Sequence, residues 1–271
     1  MRKFAVIGNP IGNSLSPHLH NYVYNSLGIE ANYEKLKIQI NEIPSIIDDL
    51  RNGVLSGINV TIPHKENIMQ YLDDINPRAK SIGAVNIVMK NGNKLFGNNT
   101  DWFGFFRALQ KNGIDPKKKE VIILGAGGTA KAILFALKQS GVKKIILLNR
   151  TLQKAEELQD EIVFPNSLDY SVQMIKNDSI IINTTPIGML SEQCPIDLGL
   201  LHENQTIIDV IYTPFQTALI KFGNKIGAKT LNGLDMFIYQ ALTSMDLWFG
   251  EDISKQVNFT QLKTYLENKL C

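Results

Sequence analysis

Short apolar runs alternate along the first hundred residues with stretches whose apolar positions recur every three or four residues. Phe4-Ala5-Val6-Ile7-Gly8 reads as a buried strand, and His18 to Gly28 reads as an amphipathic helix. Asn32 to Ile38 then reads as a strand, Asn41 to Gly53 as a helix and Gly57 to Ile62 as a strand. Strands joined by helical crossovers argue for an α/β layer. The strand-like stretch Gly83 to Asp101 contains Asn91-Gly92, a dipeptide that suits a hairpin turn, so a mixed sheet is expected in this part.

From Trp102 the pattern turns helical and closes at Gly113; the polar Asp115-Pro116-Lys117-Lys118-Lys119 that follows reads as a joint between domains. Val121 to Leu124 is a continuous apolar run suited to a central parallel strand. It leads into Gly125-Ala126-Gly127-Gly128-Thr129 and a helix expected over Ala130 to Ser140. A second buried strand ends at Asn149, and further strands are expected at Ser179 to Asn183 and Gln205 to Val210. The tail from about Asp235 reads as two helices rich in Leu, Phe and Met.

Composition narrows the class. The chain has 271 residues, 44% hydrophobic and 20% charged, as in globular proteins with room for two cores. A net charge of +2 offers no broad electrostatic footprint for a nucleic-acid partner. No stretch approaches the roughly 20 apolar residues of a membrane helix. Cys194 and Cys271 are far apart and lack metal-ligand spacing, so no disulfide framework and no metal site is expected, and the expected compartment is the cytoplasm.

The chemistry begins at the glycine turn. Strand, Gly125-x-Gly127-x-x-Ala130 and helix form the context of dinucleotide binding: Gly125 allows the turn, Gly127 lets backbone approach a pyrophosphate, and Ala130 packs closely. NAD sites usually carry Asp or Glu at the end of the next strand. This chain has Asn149-Arg150-Thr151 and then Lys154, and a guanidinium matches a phosphate, so NADP is the expected cofactor.

The first domain carries a second polar set. Ser14 and Ser16 lie in a loop, Gly8 to Asn21, that turn geometry alone does not explain. Asn59 and Thr61 are two apart in a strand-like run, so they are expected on one face, with Lys65 just beyond. Asp101 opens a helix, where capping and catalysis are both open to it.

Ser14-x-Ser16-Pro17, Asn59-Val60-Thr61-x-Pro63-x-Lys65, Gly83-Ala84-Val85-Asn86 and Asn99-Thr100-Asp101 occur in this order. They are followed by the glycine turn, Asn149-Arg150-Thr151, Asn183-Thr184-Thr185-Pro186-x-Gly188-Met189, Asp209-Val210-x-Tyr212-x-Pro214 and Asn232-Gly233-x-x-Met236 to Gln240-Ala241. Taken together, the set resembles the shikimate dehydrogenase family over essentially the whole chain.

The resemblance implies NADPH-dependent reduction of 3-dehydroshikimate to shikimate, in the pathway to chorismate and the aromatic amino acids. It implies an α/β fold with an N-terminal substrate domain on a mixed sheet (residues 1–101), a Rossmann NADP-binding domain (102–234) and C-terminal helices returning to the first domain (235–271). Lys65 and Asp101 match the family's catalytic pair. Ser14 and Ser16 match its serines for the substrate carboxylate, aided by Tyr212, and Asn59, Thr61, Asn86 and Gln240 are expected to read the hydroxyls. Gly125 to Thr129 are expected at the pyrophosphate, Asn149, Arg150, Thr151 and Lys154 at the adenosine phosphate, and Val210 and Gly233 near the nicotinamide, with Met189 and Met236 as packing candidates. The implied partners are small molecules, and the implied assembly is a monomer or homodimer.

The chain departs from the family at Asn13, where His is common, and at Ile87, where Thr is common. Three alternatives stay open: a quinate/shikimate enzyme of broader specificity, an aminoshikimate-type enzyme, and a catalytically silent NADP-binding sensor. Arg150 and the serine pair count against the first, and retention of both Lys65 and Asp101 counts against the last.

Overall fold

The computed structural model describes residues 1–117, 119–176 and 178–270; Lys118 of the expected joint, Asn177 and Cys271 lie outside the described residues. The chain forms two compact units, one of Met1–Gly104 with Ile238–Lys269 and one of Phe105–Phe237.

The first unit is built on a six-stranded mixed sheet of β1 (Arg2–Gly8), β2 (Ala31–Lys37), β3 (Gly57–Val60), β4 (Asp74–Ile75), β5 (Ile87–Asn91) and β6 (Lys94–Asn98), in the order β2-β1-β3-β5-β6-β4. β1 runs parallel to both β2 and β3, while β5 pairs antiparallel with β3 and β6. The hairpin turns where expected: Asn91 pairs with Lys94, and Gly92 takes a φ of +59° that a side chain would disfavour.

Alternation along β1 sends Ala5 and Ile7 to one face and Phe4 to the other. Ala5 and Ile7 join the cluster formed by α2 (Ile43–Arg51), preceded in the chain by α1 (Ser16–Leu27). The helix α2 buries Ile43, Ile46, Ile47 and Leu50, spaced at i, i+3, i+4 and i+7, so one stripe faces the sheet. Truncating one of these to Ala would cost about 2–5 kcal/mol. On the opposite face Phe4 stacks on Trp248, ring centroids 4.6 Å apart, and the indole donates to Val88 O at 3.1 Å.

α3 (Pro77–Ile82) and α4 (Asp101–Lys111) follow in the chain. The second unit holds a sheet of β7 (Val121–Leu124), β8 (Ile145–Asn149), β9 (Val163–Ser167), β10 (Ile180–Asn183), β11 (Thr206–Asp209) and β12 (Lys229–Leu231), in the order β12-β11-β10-β7-β8-β9. Every pairing is parallel. Read from β9, this is the 3-2-1-4-5-6 order of doubly wound dinucleotide-binding sheets, with its switch point between β7 and β10. The helices of this part are α5 (Gly128–Gln139), α6 (Leu152–Glu156), α7 (Ser171–Met174) and α8 (Ala218–Lys225).

Three expectations change. The glycine-turn helix begins at Gly128, two residues earlier than its composition suggested. β3 ends at Val60, so Thr61 lies just past the strand. The tail forms three helices, α9 (Leu234–Phe249), α10 (Ile253–Gln256) and α11 (Phe259–Leu270). Among the described residues no helix is long and apolar enough to cross a membrane.

Candidate active site

Strand direction gathers the polar set of the first unit. β1 and β3 are parallel, so the loops after them, which carry Ser14, Ser16 and Lys65, leave from the same end of the sheet, and Asn9 N donates to Ile62 O at 2.9 Å between them. β5 is antiparallel to β3 and β6 runs back again, so Asn86, just before β5, and Asp101, just after β6, come to that same end. Ligand sites of α/β sheets form at the carboxyl ends of parallel strands for this reason.

The Lys65 loop is pinned by backbone and side chain. Val85 N donates to Lys65 O at 2.8 Å, His64 N donates to Thr61 O at 2.9 Å, and buried His64 donates from Nε2 to Ile38 O at 3.0 Å. Lys65 Nζ lies 2.6 Å from Asp101 Oδ2, with both side chains about one-tenth exposed. Asn86 Nδ2 donates to the other carboxylate oxygen at 2.8 Å. Both oxygens of Asp101 therefore serve side chains of other elements, and its carboxylate does not cap its own helix; Asn99 Oδ1 accepts from Asp101 N at 3.0 Å instead.

The same network reaches Asn59 and Gln240. Asn86 Nδ2 also lies 3.4 Å from Gln240 Oε1, and Asn59 Nδ2 donates to Asn86 O and Ser244 Oγ, each at 3.1 Å. Asn59 Oδ1 accepts from the Tyr33 hydroxyl at 2.7 Å. Thr61 is half-buried just past β3, its methyl against Gly8, and among the described residues no side-chain bond joins it to this network. Ser14 and Ser16 form their own pair at the start of α1: Ser14 donates to Ser16 Oγ at 3.1 Å and accepts from Ser16 N at 3.3 Å. Two hydroxyls at a helix start suit an anion.

The remaining residues belong to the second unit. Gly125 follows β7 with φ +104°, and a Cβ there would come within 2.7 Å of Thr184 Oγ1 on the loop after β10, across the switch point of the sheet. Ala126 is nearly buried and Gly127 is exposed. A Cβ on Gly127 would meet nothing within 4 Å, and α5 starts at Gly128 and Thr129 without a side-chain cap. The turn thus offers open backbone at a helix start, which fits a pyrophosphate. Asn149 ends β8 and donates to Thr151 O at 2.7 Å, while Arg150 and Lys154 are exposed and, among the described residues, have no ion-pair partner. This is a donor set fitted to a phosphate.

Val210 and Gly233 touch through backbone: Gly233 N donates to Ile211 O at 3.1 Å, and a Cβ on Gly233 would overlap the Val210 carbonyl. Tyr212 stacks on Phe237, ring centroids 4.4 Å apart. Met189 is half-buried and Met236 buried.

Residues 6–88 match the family model described as shikimate dehydrogenase substrate binding domain, and residues 107–189 match that described as shikimate / quinate 5-dehydrogenase. A shikimate dehydrogenase (NADP(+)) of Bacillus cereus (strain AH187) is 39% identical over 275 residues, which cover 98% of each chain. The chain belongs to the shikimate dehydrogenase family.

Solved structures of the shikimate dehydrogenase family share its fold along their length. One is shikimate 5-dehydrogenase from Thermus thermophilus in complex with NADP(H) and shikimate, 32% identical, with TM-score 0.85 and 100% of both chains covered. Another is a chorismate mutase/shikimate 5-dehydrogenase fusion protein from Clostridium acetobutylicum, 30% identical, with TM-score 0.91, covering 100% of this chain and 98% of that one.

Sequence reading gave no individual role to four side chains of the first unit that join this polar network. Tyr33, Asn99, Thr100 and Ser244 all bond to the residues it singled out. Asn99 and Thr100 carried a signal, standing next to Asp101. Tyr33 and Ser244 carried none, because a Tyr in a strand and a Ser in an apolar helix are ordinary.

Proposed function

We infer that the protein is an NADP-dependent shikimate dehydrogenase, which reversibly reduces 3-dehydroshikimate to shikimate on the route to chorismate and the aromatic amino acids. The observation that carries the reading is the buried Lys65–Asp101 pair at 2.6 Å, at the sheet end that also gathers Asn59, Asn86 and Gln240. Reduction of a carbonyl requires a proton at oxygen as hydride reaches carbon, so a proton donor must stand at that oxygen.

NADPH, when bound, supplies the hydride. Lys65 gives the proton to the substrate oxygen in reduction and takes it back in oxidation, while Asp101 holds the ammonium and accepts from a neighbouring hydroxyl. Asn86, Gln240, Asn59 and Thr61 read the ring hydroxyls, and such a polar set rejects analogues that leave it unpaired. Ser14 and Ser16 donate to the substrate carboxylate, with the amides at the start of α1 adding positive potential, and Tyr212 contributes a further donor.

For the cofactor, Gly125, Ala126, Gly127, Gly128 and Thr129 cradle the pyrophosphate. Asn149, Arg150, Thr151 and Lys154 take the adenosine end, with Arg150 on the 2′-phosphate. Val210 and Gly233 shape the nicotinamide end. We read the enzyme as cytoplasmic, in keeping with its sparse cysteines.

The test is absorbance at 340 nm with purified protein, offering shikimate or quinate in turn, each with NADP or NAD. Turnover confined to shikimate with NADP is expected. Efficient use of quinate or NAD would move the chain to the broader enzyme, and no turnover with any pair would remove the reading.

A further inference from the structure

Ser244 is fully buried and lies one helical turn beyond Gln240 on α9. Its hydroxyl meets three groups: Gln240 O at 2.9 Å, Asn59 Nδ2 at 3.1 Å and Thr100 Oγ1 at 3.2 Å. A hydroxyl has one hydrogen and two lone pairs, so these contacts fix one another's direction. The Gln240 carbonyl can only accept, so Ser244 donates to it. Ser244 then accepts from Asn59 and from Thr100.

With the Thr100 hydrogen on Ser244, Thr100 Oγ1 is left as an acceptor, and Asn86 Nδ2 donates to it at 2.9 Å. Thr100 N donates to Asn86 Oδ1 at 2.7 Å, which turns the two Asn86 amide hydrogens toward Thr100 Oγ1 and Asp101 Oδ1. The two short Asn86 contacts take its two amide hydrogens, leaving Gln240 Oε1 at 3.4 Å as the longer contact, and the chain of donors thus runs from Asp101 back to Ser244.

We propose that Ser244 is a positioning residue for the Lys65–Asp101 pair, setting the hydroxyl of Thr100 so that Asn86 grips Asp101 in one orientation. The proposal rests on the reading of that pair as catalytic. Without the Ser244 oxygen, the Thr100 hydroxyl has an alternative acceptor in Asn86 Oδ1 at 3.3 Å. Asn59 then loses an acceptor and the Thr100 hydroxyl turns toward Asn86 Oδ1; Thr100 N still keeps the sense of the Asn86 amide, but Thr100 Oγ1 meets Asn86 Nδ2 less squarely and the grip on Asp101 loosens. Misplacement of a reacting group by about 1 Å can cost about 10²-fold in rate.

The experiment compares Ser244→Ala, Thr100→Val and Thr100→Ser with the wild type and Lys65→Ala, in full-length protein, with shikimate and NADP. Ser244→Ala and Thr100→Val are expected to lower kcat at least about tenfold, with KM for both substrates changed less than about threefold. Thr100→Ser, which keeps the hydroxyl, is expected to stay within about twofold of wild type. A kcat for Ser244→Ala near the wild-type value, or equal losses in Thr100→Ser and Thr100→Val, would overturn the proposal.

If Ser244→Ala does not fold, the Thr100 pair decides alone. If the wild type lacks shikimate turnover, the functional reading has failed, and side-chain amide exchange of Asn59 and Asn86 by NMR still tests the geometry. Protection in wild type that falls in Thr100→Val and holds in Thr100→Ser is expected. Equal protection in all three would overturn the ordering.

Discussion

The imidazole of His20 lies flat on the Tyr33 ring, centroids 3.9 Å apart and planes within 7°, while the Tyr33 hydroxyl donates to Asn59 Oδ1 at 2.7 Å. A fully buried, neutral histidine therefore backs the tyrosine that holds a residue of the site. Burial lowers the His20 pKa from 6.5 to about 3, and its Nε2 has no partner among the described residues.

Because the folded-state pKa lies below the unfolded one, the unfolded chain binds the extra proton, and stability from this residue is lost as pH falls from about 6.5 toward 3. Between pH 7.5 and 5 the loss should be about 2 kcal/mol. His20→Phe keeps a flat ring and removes the titration, so its urea-unfolding stability should fall less over that range. Parallel curves for variant and wild type would show that His20 does not carry the acid sensitivity.

Lys65→Ala should lower kcat at least about 10²-fold, the low end of a general acid/base contribution, with a much smaller change in shikimate binding. Steady-state kinetics with a separate binding titration separates the two. A kcat close to wild type would take Lys65 out of the proton transfer.

Arg150→Ala should raise KM for NADP far more than that for NAD, since only NADP carries the 2′-phosphate. Paired kinetics with the two cofactors reads the difference directly. Equal changes would mean that the phosphate is recognised elsewhere.

Asp209, at the end of β11, gives the opposite pH signature. Thr217 donates to its Oδ2 at 2.7 Å, and Ile211 N and Asn183 Nδ2 donate to Oδ1 at 3.0 and 3.1 Å, so the carboxyl ties the start of the Tyr212 loop to its end. Burial pushes its pKa up to about 6, outweighing these bonds. The folded state then holds the proton more tightly than the unfolded chain, and the ionised group costs about 3 kcal/mol of stability as pH rises from about 4 to above 6. Asp209→Asn should therefore gain in melting temperature relative to wild type as pH rises from 4.5 to 7.5. A difference that stays constant with pH would contradict the raised pKa.

Much of the second unit was legible because its strands are central and parallel. Val121 to Leu124 and Ile180 to Asn183 are buried on both faces and so read as unbroken apolar runs. The edge strands β9 and β4 were not legible, although the edge strand β2 was: β9 contains Pro165 and mostly half-exposed residues, and β4 is two residues long. The C-terminal break into three helices was missed as well, since the turn at Gly250, φ +68°, and the four-residue α10 leave little periodic trace.

The chemistry-bearing residue types and their order were determined by the sequence itself, because glycine, proline and charged residues at fixed spacings constrain backbone and chemistry locally. Lys65, Asp101, Asn86 and the glycine turn could all be named without coordinates. Which groups touch was decided only by tertiary structure. Asn59 and Ser244 are 185 positions apart and Thr100 and Ser244 are 144 apart, and nothing local links them until the sheet order and α9 bring them within hydrogen-bonding distance. Burial there withdraws the competing water, so each donor must find a protein acceptor, and that requirement turns scattered polar residues into one ordered network.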